Sequence, residues 1–117
     1  MMPPVLDPDV IESLRQLTPP GEPDVLNEVL QLFLEDVPGR IARLRSAWQD
    51  GNAVEVQRAA HSLKGSAGNI GATDLLSVCR LLDDHGKSGD LSNLAPLVTS
   101  LETEYAKVAA EIKSLIK

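Results

Sequence analysis

The stretch AAHSLKGSAGNIGATDLL, residues 59–76, decides how the rest of the chain is read. Wound as a helix at about 100° per residue, the segment puts Val56, Ala60, Leu63, Ala67 and Ile70 on one narrow apolar stripe that must face a core. His61, Gly65 and Gly68 then share the opposite, wet side, flanked by Gln57, Arg58 and Lys64. Glycine inside a helix costs roughly 1 kcal/mol relative to alanine, so two of them following an exposed histidine need a reason. Clearance supplies one: without Cβ atoms, Gly65 and Gly68 leave a trough through which another molecule can approach the imidazole. Lys64, three residues on, can bring a cation to the same place. An accessible imidazole with a mobile ammonium beside it suits a nucleophile that carries a phosphoryl group.

Apolar residues recur at helical spacing on both sides of this stretch. Asp7 can cap a short helix over about Pro8 to Leu17, with Pro8 at its first position and Val10, Ile11, Leu14 and Leu17 apolar. After the stiff connector Thr18-Pro19-Pro20-Gly21, a long helix from about Asp24 to Gln49 repeats Leu26, Leu30, Phe33, Val37, Ile41, Leu44 and Trp48. Pro38 removes one backbone bond, but the stripe continues in phase beyond it, which predicts one kinked helix and not two. Asp50-Gly51-Asn52 closes that helix and opens the next, with Asn52 as candidate N-cap. Asn69-Ile70-Gly71 ends the His61 helix, and a fourth runs from Ala72 or Thr73 to about His85-Gly86 with Leu75, Val78, Cys79 and Leu82 inward. The last begins near Ser92 and keeps Leu94, Val98, Leu101, Tyr105, Val108, Ile112 and Leu115 in register. With no strand pattern and short turns, the expected fold is all-α, an antiparallel up-down four-helix bundle with a short additional N-terminal helix across one end.

Composition narrows the function. A chain of 117 residues has room for one domain and one core. Only 3% of residues are aromatic, so Leu, Val, Ile and Ala must fill that core. A net charge of −6, with no gathered stripe of Lys and Arg, argues against nucleic acid. No apolar run approaches the ~20 residues that span a bilayer, and MMPPVLDPD lacks a signal peptide's basic start and apolar stretch. The expectation is a cytoplasmic monomer that engages neither membrane nor nucleic acid. The single Cys79 reads as core and His85 as a helix-terminal residue favoured by the dipole. Two histidines with no cysteine or carboxylate at ligand spacing make a poor metal site. The glycines at 65, 68 and 71 are no phosphate loop, since such loops follow a strand and present free N–H groups, whereas Gly65 and Gly68 lie inside a helix.

His61, Leu63, Lys64, Gly65, Gly71 and Leu75 fall at the spacings H-x-L-K-G-x-x-x-x-x-G-x-x-x-L. In this the chain resembles the histidine-containing phosphotransfer (HPt) domain family, over roughly Leu6 to Leu115. The resemblance implies a phosphorelay intermediary: His61 takes a phosphoryl group from the phospho-aspartate of a response-regulator receiver domain and yields it to another, with Lys64 neutralising phosphate charge. It implies no cofactor in this chain and Mg²⁺ on the partner receiver; the chain itself lacks the length and the nucleotide-binding glycine motifs of a histidine kinase, so no ATP-dependent kinase activity is expected. A hybrid histidine kinase is a further implied partner. Two other readings stand beside it, an HPt-shaped module that regulates by docking alone and a phosphoacceptor domain associated with a kinase. In the family, the position matching Asp83 often holds a residue that hydrogen-bonds the imidazole, and an antiparallel return past Gly71 brings Asp83 to about the height of His61. Asp83 is thus the candidate to orient the ring, Asp84 the alternative, unless neither reaches. Ser66 and Asn69 turn away from His61 by helical angle.

Overall fold

The computed structural model describes residues 4–116. Its five helices are α1 (Pro8–Gln16), α2 (Val25–Gln49), α3 (Ala53–Asn69), α4 (Thr73–Ser88) and α5 (Ala95–Leu115), and no strand occurs among the described residues. Three of the helix starts are set by side chains that accept from otherwise unbonded amides. Asp7 accepts from the amide of Asp9 at 2.9 Å, Asp24 from Leu26 at 3.0 Å and Asn52 from Glu55 at 3.2 Å. Thr18 accepts from the amide of Val25 at 2.9 Å, which ties the proline-rich connector to the start of α2.

Helix α2 runs unbroken through Pro38. Pro38 and Gly39 are exposed, so water can take the Leu34 carbonyl that lacks its usual amide, while Val37 and Ile41 stay in the core on the other side. Consecutive long helices pack side by side, and α2 closes the ring against α5, which makes the up-down four-helix bundle. Leu30, Leu44, Leu63, Ile70, Leu75, Leu82, Leu101 and Ile112 form the fully buried interior. The sparse aromatics add one stacked pair across α2 and α5, Phe33 on Tyr105 with ring centroids 6.0 Å apart. At the end of α2 the chain buries Ala47 and leaves Trp48 only partly covered.

The connection between α3 and α4 is pinned from outside. Gly71 has φ +70°, and its carbonyl accepts from the amide of Asp7 at 2.8 Å. A Cβ at Gly71 would stand 2.8 Å from that of Asp7 and 3.0 Å from that of Val10, so glycine serves both the turn and the seating of α1. Two boundaries differ from the sequence reading. Helix α4 continues past Gly86 to Ser88 and stops at Gly89, which takes the left-handed conformation with φ +79°. Helix α5 starts at Ala95 and not near Ser92, because Asp90 binds both the amide and the hydroxyl of Ser92 and Asn93 turns the chain with φ +58°.

Gly86 is therefore no helix end but a packing residue. It is buried, and a Cβ there would lie 2.6 Å from the backbone nitrogen and 2.7 Å from the Cα of Gln57. Backbone cannot step aside as a flexible side chain can, so α3 and α4 approach this closely only because residue 86 is glycine. Gly65 and Gly68 have no such neighbour within 4 Å. Gly86→Ala should therefore lower thermal stability by about 1–3 kcal/mol, whereas Gly65→Ala should leave it unchanged or raise it. Melting curves of the two variants beside wild type check this, and an undiminished midpoint for Gly86→Ala would refute the close contact.

Candidate functional site

Helix α3 turns its apolar stripe fully inward: Val56, Ala60, Leu63, Ala67 and, just past its end, Ile70 are at most 1% exposed. The opposite face then has to meet solvent. His61, Gly65 and Gly68 are all exposed, as the helical wheel requires. They line a shallow recess of about 440 Å³ whose other walls are Lys64 and Asn69 from α3 and Leu76 and Arg80 from α4. Open space lies beyond both glycines. Asn69 borders this recess, although helical angle turns it from His61, because it is the last residue of α3 and closes the recess at that end. Ser66 faces the other way, into an apolar groove between α2 and α3 that contains Leu32 and Phe33.

Asp83 does not bind the imidazole. Its Oδ1 accepts from Gln57 Nε2 at 2.9 Å and its Oδ2 from Lys64 Nζ at 2.7 Å, with Lys87 Nζ 3.4 Å from the same oxygen. Among the described residues none hydrogen-bonds the His61 ring, and Asp84 is exposed. The antiparallel return does bring Asp83 to the expected height, between Gln57 and Lys64. What separates it from His61 is direction: Gln57 and Lys64, two turns apart, share one line along α3, and His61 lies about 40–60° further round toward solvent. A short aspartate on the inner flank of α4 reaches that line and goes no further.

The carboxylate is 1% exposed and is the one buried charged side chain among the described residues. Burial alone would raise its pKa, but the hydrogen bonds from Lys64 and Gln57, together with the charges of Lys64 and Lys87, outweigh it and hold the group at about 2, below its ordinary 3.8. The ammonium of Lys64 is in turn fixed in place, its side chain 29% exposed at the edge of the recess. Arg80 was not singled out in the sequence, yet it supplies a second cation to the same recess. The signal was available: Arg80 is one turn after Leu76 on the flank of α4 that returns past Gly65 and His61.

The remaining chemically capable residues have other duties. Cys79 is fully buried, and burial pushes its thiol up to about 12, far from a reactive thiolate. His85 Nδ1 sits 3.1 Å from the carbonyl of Asp90, where it braces the turn into α5. No group of three or more His, Cys, Asp or Glu side chains among the described residues is placed to hold a metal. No helix of the described residues is long and apolar enough to cross a membrane.

The sequence model of the family described as "Hpt domain" matches residues 28–111. The chain is 24% identical over 110 residues to Histidine-containing phosphotransfer protein 2 of Arabidopsis thaliana, covering 92% of this chain and 70% of that protein. Among solved structures it resembles histidine-containing phosphotransfer protein B (HptB) from Pseudomonas aeruginosa PAO1, with a TM-score of 0.88 and 31% identity over 97% of this chain and 95% of that one. The HPT domain of a sensor hybrid histidine kinase from Shewanella shares the fold, with a TM-score of 0.76 at 18% identity over 95% of this chain and 92% of the other.

The Asp83 cluster makes a definite statement about acid. A carboxylate whose pKa is lower folded than unfolded contributes stability that is complete above the unfolded value and is lost as pH falls through the folded one. The contribution of Asp83 should thus persist to about pH 4 and vanish between there and about pH 2. Side-chain carboxyl NMR should show Asp83 titrating well below the exposed aspartates, and Asp83→Asn should destabilise at neutral pH but not near pH 2. A midpoint near 3.8 for Asp83 would refute the cluster.

Proposed function

The chain belongs to the Hpt domain family, and on that premise we propose that His61 is its phosphoacceptor, charged by the phospho-aspartate of one response-regulator receiver domain and discharged to the aspartate of another. The observation that carries the assignment is the open recess: an exposed imidazole, two positions with nothing within 4 Å of a Cβ, and the cations Lys64 and Arg80 on its walls. The family's phosphorelay role needs one histidine accessible to a protein partner. Of the two in this chain, His85 is engaged with Asp90 and only half exposed.

The transfer is an exchange of bonds at phosphorus. The lone pair of the unprotonated ring nitrogen of His61 forms the P–N bond as the P–O bond to the donor aspartate breaks, and the aspartate leaves as a carboxylate. The other ring nitrogen keeps its proton. Passage to the acceptor aspartate is the same exchange run the other way. Negative charge is spread over the phosphoryl oxygens throughout, so positioned cations lower the barrier. Lys64 is the nearer in sequence, and Asp83 acts as a positioning residue for it: the carboxylate holds the ammonium at the recess edge, from which it can turn to the incoming phosphoryl group. Gly65 and Gly68 keep the approach clear. Mg²⁺ enters with the receiver, and a hybrid histidine kinase is a second partner in keeping with this reading. Such a chain carries phosphoryl groups in the cytoplasm without a kinase activity of its own.

Incubation of the protein with phosphorylated receiver domains from its own organism tests the assignment. His61→Gln should remain helical yet accept no phosphoryl group, and the wild-type adduct should be acid-labile and base-stable, as a phosphoramidate is. Gly65→Leu and Gly68→Leu should keep or raise the melting temperature while transfer falls at least tenfold, because the branched side chain fills the approach. Undiminished labelling of His61→Gln would remove His61 from the reaction, and normal transfer by either leucine variant would remove that glycine from the approach.

A further inference from the structure

A second recess, of about 340 Å³, lies on the α2 side of His61, walled by the C-terminal half of α2 and the first three turns of α3. Arg40 and Arg43 enter it from α2, and Arg58 and Ser62 from α3. Arg58 is neutralised by Glu55 at 2.9 Å. Arg40 and Arg43 have no acidic partner among the described residues, in a chain whose net charge is −6 and in which Arg15 and Arg45 are each paired with a glutamate. Two arginines a turn apart in an acidic chain, left unpaired where acids are plentiful, are open to negative charge from elsewhere.

Their position along the recess indicates whose charge that is. Counting outward from the turn at Gly51, Arg40 stands level with Ser62 and Arg43 with Ala59 in the antiparallel pair. The basic end is thus the end next to His61, while the acidic side chains of the recess, Asp50 and Glu55, lie toward the turn. Arg80, also without an acidic partner among the described residues, lies on the α4 side. Any protein that brings a phospho-aspartate to His61 must cover this ground. We infer that Arg40 and Arg43 form a docking subsite for an acidic segment on the partner that exchanges phosphoryl groups with His61, beside its phosphorylated aspartate. This rests on the phosphotransfer reading above and adds to it a surface outside the reacting recess. Complementary charge of this kind steers association and fixes orientation, and salt screens it.

The double variants Arg40→Glu/Arg43→Glu and Arg40→Gln/Arg43→Gln test the inference, with purified receiver domains from the same organism as probes. Both positions are at the surface, and circular dichroism verifies that the bundle persists. For the receivers that exchange phosphoryl groups with wild type, the charge reversal should weaken association and raise KM at least tenfold at low salt, and the neutral pair should do so less. The wild-type salt dependence should flatten, while transfer at saturating receiver and labelling of His61 by phosphoramidate stay unchanged. Unaltered receiver affinity in the charge reversal overturns the inference. So does unaltered affinity accompanied by loss of inorganic phosphate binding or by a changed oligomeric state in light scattering, which would make the recess a small-anion site or a self-contact. If wild type accepts phosphoryl from phosphoramidate on His61 but from no receiver, the phosphotransfer reading fails and this one with it; if it exchanges normally and the arginine variants match it, the docking subsite alone fails.

Discussion

The pairing of α3 with α4 governs the rest of the molecule, and it depends on a contact that tolerates no side chain. At Gly86 the backbone of α3 passes at a distance that a Cβ would violate. That approach lets an aspartate, one of the shortest charged side chains, span the gap. Asp83 reaches Gln57 and Lys64 at once, both on the line of α3 that faces α4. A longer carboxylate would not need the helices so close, and a wider spacing would leave this one buried without enough partners, which costs several kcal/mol for a charge. Close packing and buried charge therefore specify each other.

The site inherits its geometry from that pairing. With α3 locked in rotation, its apolar stripe faces the core and His61 faces out, and the open ground over Gly65 and Gly68 becomes the floor of a recess closed by Leu76 and Arg80 of α4. The ammonium of Lys64 is held at the edge of this recess by Asp83 instead of ranging through solvent, as an unpaired surface lysine would. In the proposed transfer, ordering it beforehand would lower the entropy lost when it turns to a phosphoryl group, the general advantage of preorganised charge in group transfer. In that proposal the ion pair would have to loosen as the phosphoryl group arrives, and Lys87 at 3.4 Å is on hand to keep the carboxylate partnered.

Most of this could be read from the sequence, and the parts that could not have identifiable causes. Periodicity places a residue around a single helix axis, so the buried stripe of α3 and the exposure of His61, Gly65 and Gly68 followed from it directly. The continuation of α2 through Pro38 followed because the stripe on either side stays in phase. What periodicity lacks is the direction of a neighbouring helix. Asp83 came out at the right height on α4 but with the wrong partner, since the angle between His61 and the Gln57–Lys64 line matters only once α4 is docked. Gly86 looked like a helix end because glycine commonly is one, and its true reason, the backbone of Gln57, lies across the interface. The last helix starts later than near Ser92 because Asp90 holds Ser92 in a side-chain turn that mimics a helical cap.

Whether Asp83 acts on phosphotransfer through Lys64 is decided by a double-mutant cycle. Phosphoryl transfer from a phosphorylated receiver should be timed for wild type, Lys64→Ala, Asp83→Asn and the double variant, each corrected for its folded fraction. Both single substitutions should slow transfer, and the double variant should be no slower than Lys64→Ala alone, because without the ammonium there is nothing left for the carboxylate to position. Two losses that multiply in the double variant would contradict that role and leave the Asp83 cluster a structural bond between helices, with no part in the reaction.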